Sequence, residues 1–168
     1  MKLIVAVDKN WGIGRDNDLL FSIPEDMKFF RSTTLNKVVV MGRKTLESFP
    51  NGNPLKNRIN IVLTNDKSYS KEGAVIVNSI QEVAEAVRDY NTDDVYIIGG
   101  ASVYETFCDY CDEAYVTMVE KDGNADKFMV NLNEKENWEL KEKSETKVTE
   151  DGIRFAFCTF RNNNKKSL

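Results

Sequence analysis

The chain has 168 residues, 41% of them hydrophobic, which suits one compact domain with a real core. Net charge is −4 with no basic stripe, which argues against nucleic acid as the main partner, and no apolar run approaches the ~20 residues needed to cross a bilayer. Histidine is absent, so Ser-His-Asp and Cys-His triads and His-bearing metal sites are excluded, and acid–base work falls to Asp, Glu, Lys, Tyr or water.

Leu3–Val7 is an apolar run that stops at Asp8. It is too short for a signal sequence and reads as the first strand, which places the protein in the cytoplasm. Lys9 to Phe21 reads as a long polar loop whose Gly12 and Gly14 let it move and close. Gly12-x-Gly14 is no dinucleotide fingerprint, since the third glycine and the following helix are missing. Ser22-Ile23-Pro24-Glu25 predicts a helix start with Ser22 as N-cap, the helix running to about Thr33.

Val38–Met41 is a β-branched strand ending at Gly42, and Arg43–Ser48 a short helix. Ile59–Leu63 and Ala74–Val77 read as strands, and Gln81–Tyr90 as a helix with Val83, Ala84 and Val87 on one face. Val95–Ile98 is a central strand ending at Gly99-Gly100, followed by a helix over Ala101–Phe107 and a strand over Ala114–Val119. Trp138–Lys147 and Ile153–Phe160, joined by Glu150-Asp151-Gly152, predict a β-hairpin. This pattern predicts one α/β domain over residues 1–161. Its centre is a mostly parallel mixed sheet of about eight strands with an antiparallel C-terminal hairpin, flanked by about four helices. Residues 162–168 form a polar tail, expected to fray, that holds the lone basic cluster Lys165-Lys166.

Three cysteines are too few for a disulfide framework. Cys108-x-x-Cys111 follows a helix instead of opening one, and one other Cys and no His remain to complete a zinc set. The pair reads as half-buried thiols, and no metal is expected.

Ligands of open α/β sheets bind at the carboxyl ends of strands. Those ends here are Gly42-Arg43-Lys44-Thr45, Leu63-Thr64-Asn65 and Gly99-Gly100-Ala101-Ser102. Gly99-Gly100 before a helix is either a phosphate cradle or a plain turn. Arg43 and Lys44 open a helix, where the dipole disfavours cations. They await an anion such as an adenosine 2′-phosphate, with Thr64 adding a hydroxyl, or they are solvated surface charges. Asp26 falls in a first helical turn beside Ile23, Phe29 and Phe30. It is either a desolvated carboxylate that grips a cationic ring edge or an acid facing water. Phe21, Phe29, Phe30, Phe49 and Leu55 read as core, or in part as a slot for a planar ligand.

Five segments in this order and spacing resemble the dihydrofolate reductase family: Ile13-Gly14-x-x-Asn17, Ile23-Pro24-Glu25-Asp26-Met27-x-x-Phe30, Val40-Met41-Gly42-Arg43-x-Thr45, Asn57-Arg58-x-Asn60-Ile61-Val62-Leu63, and Ile98-Gly99-Gly100-Ala101-x-Val103-Tyr104. The match runs from Leu3 to about Phe160. It implies NADPH-dependent reduction of dihydrofolate, with the hydride passing from nicotinamide C4 to pterin C6 and a proton to N5. It also implies sensitivity to diaminopyrimidine antifolates and a monomer without nucleic-acid or membrane partners.

The resemblance implies roles for residues as well. Asp26 would hold the pteridine, with Thr117 beside it, and Leu19 and Phe21 belong to the same catalytic set. Phe30, Phe49 and Leu55 would sandwich the substrate, joined by Ile4, Val5, Met27, Ile98 and Tyr104. Arg58, with Arg31 near it, would pair with the substrate's α-carboxylate. Ala6, Ile13, Gly14, Asn17 and Leu19 would meet the nicotinamide half of the cofactor, where Ile98 and Tyr104 also reach. Gly42, Arg43, Lys44, Thr45, Leu63, Thr64 and Asn65 would take the adenosine side. Gly99, Gly100, Ala101, Ser102 and Val103 would cradle the pyrophosphate, and the resemblance implies a cis peptide at Gly99-Gly100.

Two departures stand out. The family's Pro-Trp is Leu20-Phe21 here, so no indole N–H holds a water on the proton route. Its Gly-Asp-Thr-x-Phe-Pro segment is Ala125 to Val130, where Asp126 and Phe128 alone survive. The rival readings are a ribosylaminopyrimidine reductase of the same fold and a non-catalytic nucleotide-binding module.

Overall fold

A computed structural model describes all 168 residues. The chain runs β1 (Lys2–Val7), β2 (Gly12–Gly14), α1 (Pro24–Thr34), β3 (Val38–Gly42), α2 (Arg43–Glu47), β4 (Ile59–Leu63) and β5 (Ala74–Val77). It continues through α3 (Ile80–Val87), β6 (Val95–Gly99), α4 (Ala101–Phe107) and β7 (Glu113–Val119). The last strands are β8 (Lys127–Phe128), β9 (Trp138–Lys143), β10 (Lys147–Val148) and β11 (Arg154–Asn162).

The main sheet has the order β10-β11-β7-β1-β6-β3-β4-β5, with β9 also on β11. Strands from β7 across to β5 are parallel, and β11 adds antiparallel pairing at one side. Val38–Met41 and the whole of β6 are buried on both faces, as central parallel strands require. Alternation along β1 sends Leu3, Val5 and Val7 into the larger core with Val83, Val103 and Phe107 of α3 and α4. Ile4 points the other way, into a smaller core with Phe29, Phe30 and Leu46 of α1 and α2. The helices therefore divide two and two over the faces.

Several expectations change in detail. Helix α1 starts at Pro24 with Ile23 as N-cap, because a residue before proline is pushed out of the helical region; Ile23 has φ −115°, ψ 105°. Ser22 makes no cap and instead lies 3.9 Å from Met27 Sδ, while Glu25 pairs with Lys147 at 3.4 Å. Helix α3 ends at Val87, short of Tyr90, but is capped at its start, where Ser79 Oγ accepts from the Glu82 N–H at 3.1 Å. The polar loop after β1 contains β2, which pairs with β8.

The expected hairpin strand is split into β9 and β10, which occupy two ends of one β11 edge. At the break Ser144 Oγ takes the Phe157 N–H at 2.9 Å, so a side chain stands in for a ladder carbonyl. The C-terminal tail is tied down instead of frayed. Asn162 belongs to β11 and donates to the Cys111 carbonyl at 2.9 Å, and the Lys166 N–H reaches the Asp109 carbonyl at 2.8 Å. Cys108, Cys111 and Cys158 are all free and fully buried, deeper than the half-burial expected.

Candidate active site

Strand β6 lies between β1 and β3, although the chain reaches β3 from β1 through α1. At the carboxyl ends of β1 and β6 the chain therefore leaves to opposite faces, and a cleft opens there. It has a volume of about 150 Å³ and is lined by Val5 and Ala6 of β1, by Ile13, Gly14, Asn17 and Leu19 of the following loop, and by Thr45 of α2. Ile98, Gly99, Gly100, Ala101 and Tyr104 complete its far wall. These twelve residues were all singled out from the sequence. Arg15, Asp18, Ser48 and Lys127 line it too and were not. Lys127 reaches the cleft through the β2–β8 pairing, a contact invisible in a local pattern.

The glycines at the strand ends are close-packed. A Cβ on Gly42 would sit 3.3 Å from Val103 Cγ2, and one on Gly100 would sit 3.4 Å from Thr45 Oγ1. Gly99 has φ +120°, and its peptide bond to Gly100 is cis, as the resemblance implies. Tyr104 is buried, and its hydroxyl donates to the Ile4 carbonyl at 2.7 Å. Burial, and secondarily the nearby Asp26, push its pKa far above the usual phenol value.

Asp26 on the first turn of α1 faces inward. The Thr117 hydroxyl of β7 donates to its Oδ1 at 2.5 Å. Its Oδ2 makes no hydrogen bond within the protein. Removal from water raises the Asp26 pKa, and the Thr117 bond opposes that rise. Beside it, Ile4, Phe30, Phe49, Leu55 and Ile98 share the smaller core, so the structure brings the apolar substrate set together. Met27 is exposed at the same helix. Arg58 reaches the α1 end, its Nη1 donating to Thr34 Oγ1 at 3.1 Å and its Nε to the Lys56 carbonyl at 3.0 Å. Burial and then the like charge of Arg31 lower the Arg58 pKa.

Gly42 and Leu63 end adjacent strands in register, and Arg43, Lys44, Thr64 and Asn65 follow them. Arg43 does not await a partner: Glu47 and Asp66 meet it at 3.0 and 3.1 Å, which answers the dipole argument from within the chain. Lys44 makes no ion pair. Ser102 is exposed and Val103 buried on α4. Phe21 stands apart from the cleft, packed with Ile23, Val119 and Phe155 and against Gly123.

Asp8 is a buried carboxylate that no local motif marks. Its Oδ1 accepts from the Asn10 and Gly12 N–H groups, each at 2.8 Å, and its Oδ2 from Gly123 N–H at 3.0 Å. It thereby clamps the loop after β1 to the loop before β8. The available signal was an acid directly after a buried strand. The surviving Asp126 adds a second tie, taking the Asp16 N–H at 3.0 Å.

The sequence profile of the family described as "Dihydrofolate reductase" matches residues 1–162. The chain is 37% identical over 138 residues to a dihydrofolate reductase of Haemophilus influenzae, covering 82% of each. It is 34% identical over 140 residues to one from Bacillus subtilis, covering 83% of this chain and 80% of that protein. Among solved structures it resembles the Enterococcus faecalis dihydrofolate reductase complexed with NADP(H) and RAB-propyl. That likeness has a TM-score of 0.87 and 30% identity, and covers 96% of this chain and 95% of the other.

Proposed function

The chain belongs to the dihydrofolate reductase family, and from that premise we propose that Asp26 is the residue on which its catalysis turns. The protein is an NADPH-dependent oxidoreductase that reduces 7,8-dihydrofolate to 5,6,7,8-tetrahydrofolate, supplying one-carbon metabolism. NADPH, when bound, supplies the hydride that goes from nicotinamide C4 to pterin C6.

The residues fit that cofactor. Bare glycine backbone at Gly99-Gly100 lets a phosphate approach, Lys44 is a cation without a partner, and Ala6, Ile13 and Gly14 line a slot for a flat ring. In our reading Gly99 to Val103 hold the pyrophosphate, and Arg43, Lys44, Thr45, Thr64 and Asn65 the adenosine side. Phe30, Phe49, Leu55, Ile4 and Ile98 hold the pterin and aminobenzoyl rings, and Arg58 with Arg31 the α-carboxylate.

Asp26 carries the reading because it is a desolvated carboxylate with one oxygen spoken for by Thr117 and one free. Two parallel N–H donors on a ring edge, the pterin N3 and 2-amino groups, match such a carboxylate. Ionised Asp26 then polarises the ring so that N5 becomes more basic. Phe21 lies in an apolar cluster and holds no proton, so a water admitted past the exposed Leu19 delivers it to N5. We place the protein in the cytoplasm as a monomer, with residues 1–161 as its domain and no nucleic-acid or membrane partner. No helix is long and apolar enough to cross a membrane.

The test is an absorbance assay of NADPH loss. Oxidation should require dihydrofolate and stop with a low concentration of a diaminopyrimidine antifolate. NADPH binding without oxidation would make the chain a nucleotide-binding module. Oxidation indifferent to the antifolate would favour a ribosylaminopyrimidine substrate.

A further inference from the structure

The cleft is lined by two cations to which no role has yet been given, Arg15 and Lys127. Arg15 has Asp16 at 3.7 Å, whereas Lys127 is exposed and makes no ion pair. Asp18, the one carboxylate on the lining, has its Oδ1 on the Leu19 N–H at 2.8 Å. Lys127 stands where the segment Gly-Asp-Thr-x-Phe-Pro has its threonine, so the charge is a feature of this chain.

The aim of Lys127 follows from the ladder. Strands β2 and β8 are antiparallel, with a register shift that sets Lys127 opposite Gly14. Opposite residues of such a pair share a face. Gly14 puts no side chain on that face, and a Cβ there would lie 3.1 Å from the Asp18 carbonyl oxygen. The lysine stem therefore passes over bare backbone into the cleft, whose far wall is Gly99, Gly100 and Ala101. That wall carries no charged side chain, and neither does the first turn of α4, Ala101 to Tyr104. An anion cradled there has backbone on one side and the unpaired ammonium of Lys127 on the other.

We propose that Lys127 is a cofactor-binding residue that gives the dinucleotide pyrophosphate its counter-charge from the loop side of the cleft. This rests on the reading that Gly99 to Val103 hold the pyrophosphate. Lys44, at the adenosine side, is a separate contact, so the two cations can be told apart. Lys127→Met keeps the stem and removes the charge, and Lys127→Arg keeps the charge.

The test is calorimetric binding of NADPH, 2′,5′-ADP and adenosine 2′-monophosphate to the intact protein, to these two variants and to Lys44→Ala. The first two probes carry phosphate at the adenosine 5′ position, and the third does not. Lys127→Met should weaken NADPH and 2′,5′-ADP by about threefold to fivefold at low salt, as for one partly exposed ion pair, and leave adenosine 2′-monophosphate within about 1.5-fold. The loss should shrink at high salt, and Lys127→Arg should recover most of it. If Lys44→Ala weakens all three probes while Lys127→Met weakens none, or all three alike, Lys127 makes no pyrophosphate contact and the cofactor reading still stands. If neither variant alters any probe, the cofactor lies elsewhere and both claims fall.

Discussion

Asp26 is held in a place that disfavours its charge. Burial lifts its pKa above the ordinary 3.8, only partly countered by Thr117. Because the folded value exceeds the unfolded one, its contribution to stability is full below the unfolded value and lost as pH rises through the folded one. Asp26→Asn should therefore melt higher than the parent at about pH 7 and level with it at about pH 3, where the parent is neutral too. The same variant should lose about a hundredfold to a thousandfold in kcat at neutral pH, and less at low pH where the substrate arrives protonated. Thr117→Val, which removes the donor to Oδ1, should move the acidic limb of the rate profile to higher pH. Turnover unchanged across pH would remove Asp26 from the mechanism. The acid and its aromatic neighbours are readable along one helix, whereas Thr117 lies 91 positions away and enters by β7 register alone.

At the scale of elements, the loop after β1 is built by close approach more than by freedom. Gly12 pairs with Phe128, and a Cβ there would stand 2.4 Å from Ala125 Cβ and 2.9 Å from Asp8 Oδ2. Gly12→Ala should cost about 1–3 kcal/mol in denaturant unfolding and weaken NADPH binding, as overpacking forces β2 from β8. Adding Ala125→Gly should return part of both losses. No recovery would place the damage at the Asp8 clamp instead. The sequence marked this glycine as a hinge because the partner it packs on, Ala125, is distant in the chain. Proline likewise overruled the Ser22 cap: the local Ser-x-x-Glu pattern was present, but Pro24 denied the residue before it a helical conformation.

For the molecule as a whole, the three thiols are sealed under the layers that the sheet holds together. Burial pushes Cys108 up to about 11 and Cys111 and Cys158 above their ordinary value as well. In the folded state all three should resist alkylation at neutral pH, and all should label on unfolding in denaturant, read by mass spectrometry. Rapid native labelling of Cys108 or Cys111 would revive a redox role for the pair. The sequence alone determined the parallel core strands, because Val38–Met41 and Val95–Ile98 have no polar face to show water. It also determined the glycine-ended carboxyl edges, since these follow from residue type and short-range period, whereas the inward turn of Asp26 was settled by its bond to Thr117. Only the tertiary structure decided that β6 threads between β1 and β3 to open the cleft, that Asp8 joins two loops, and that Arg43 meets Asp66. Each of those joins residues far apart in the chain, and strand order is set by how whole faces bury against each other, which no local spacing encodes.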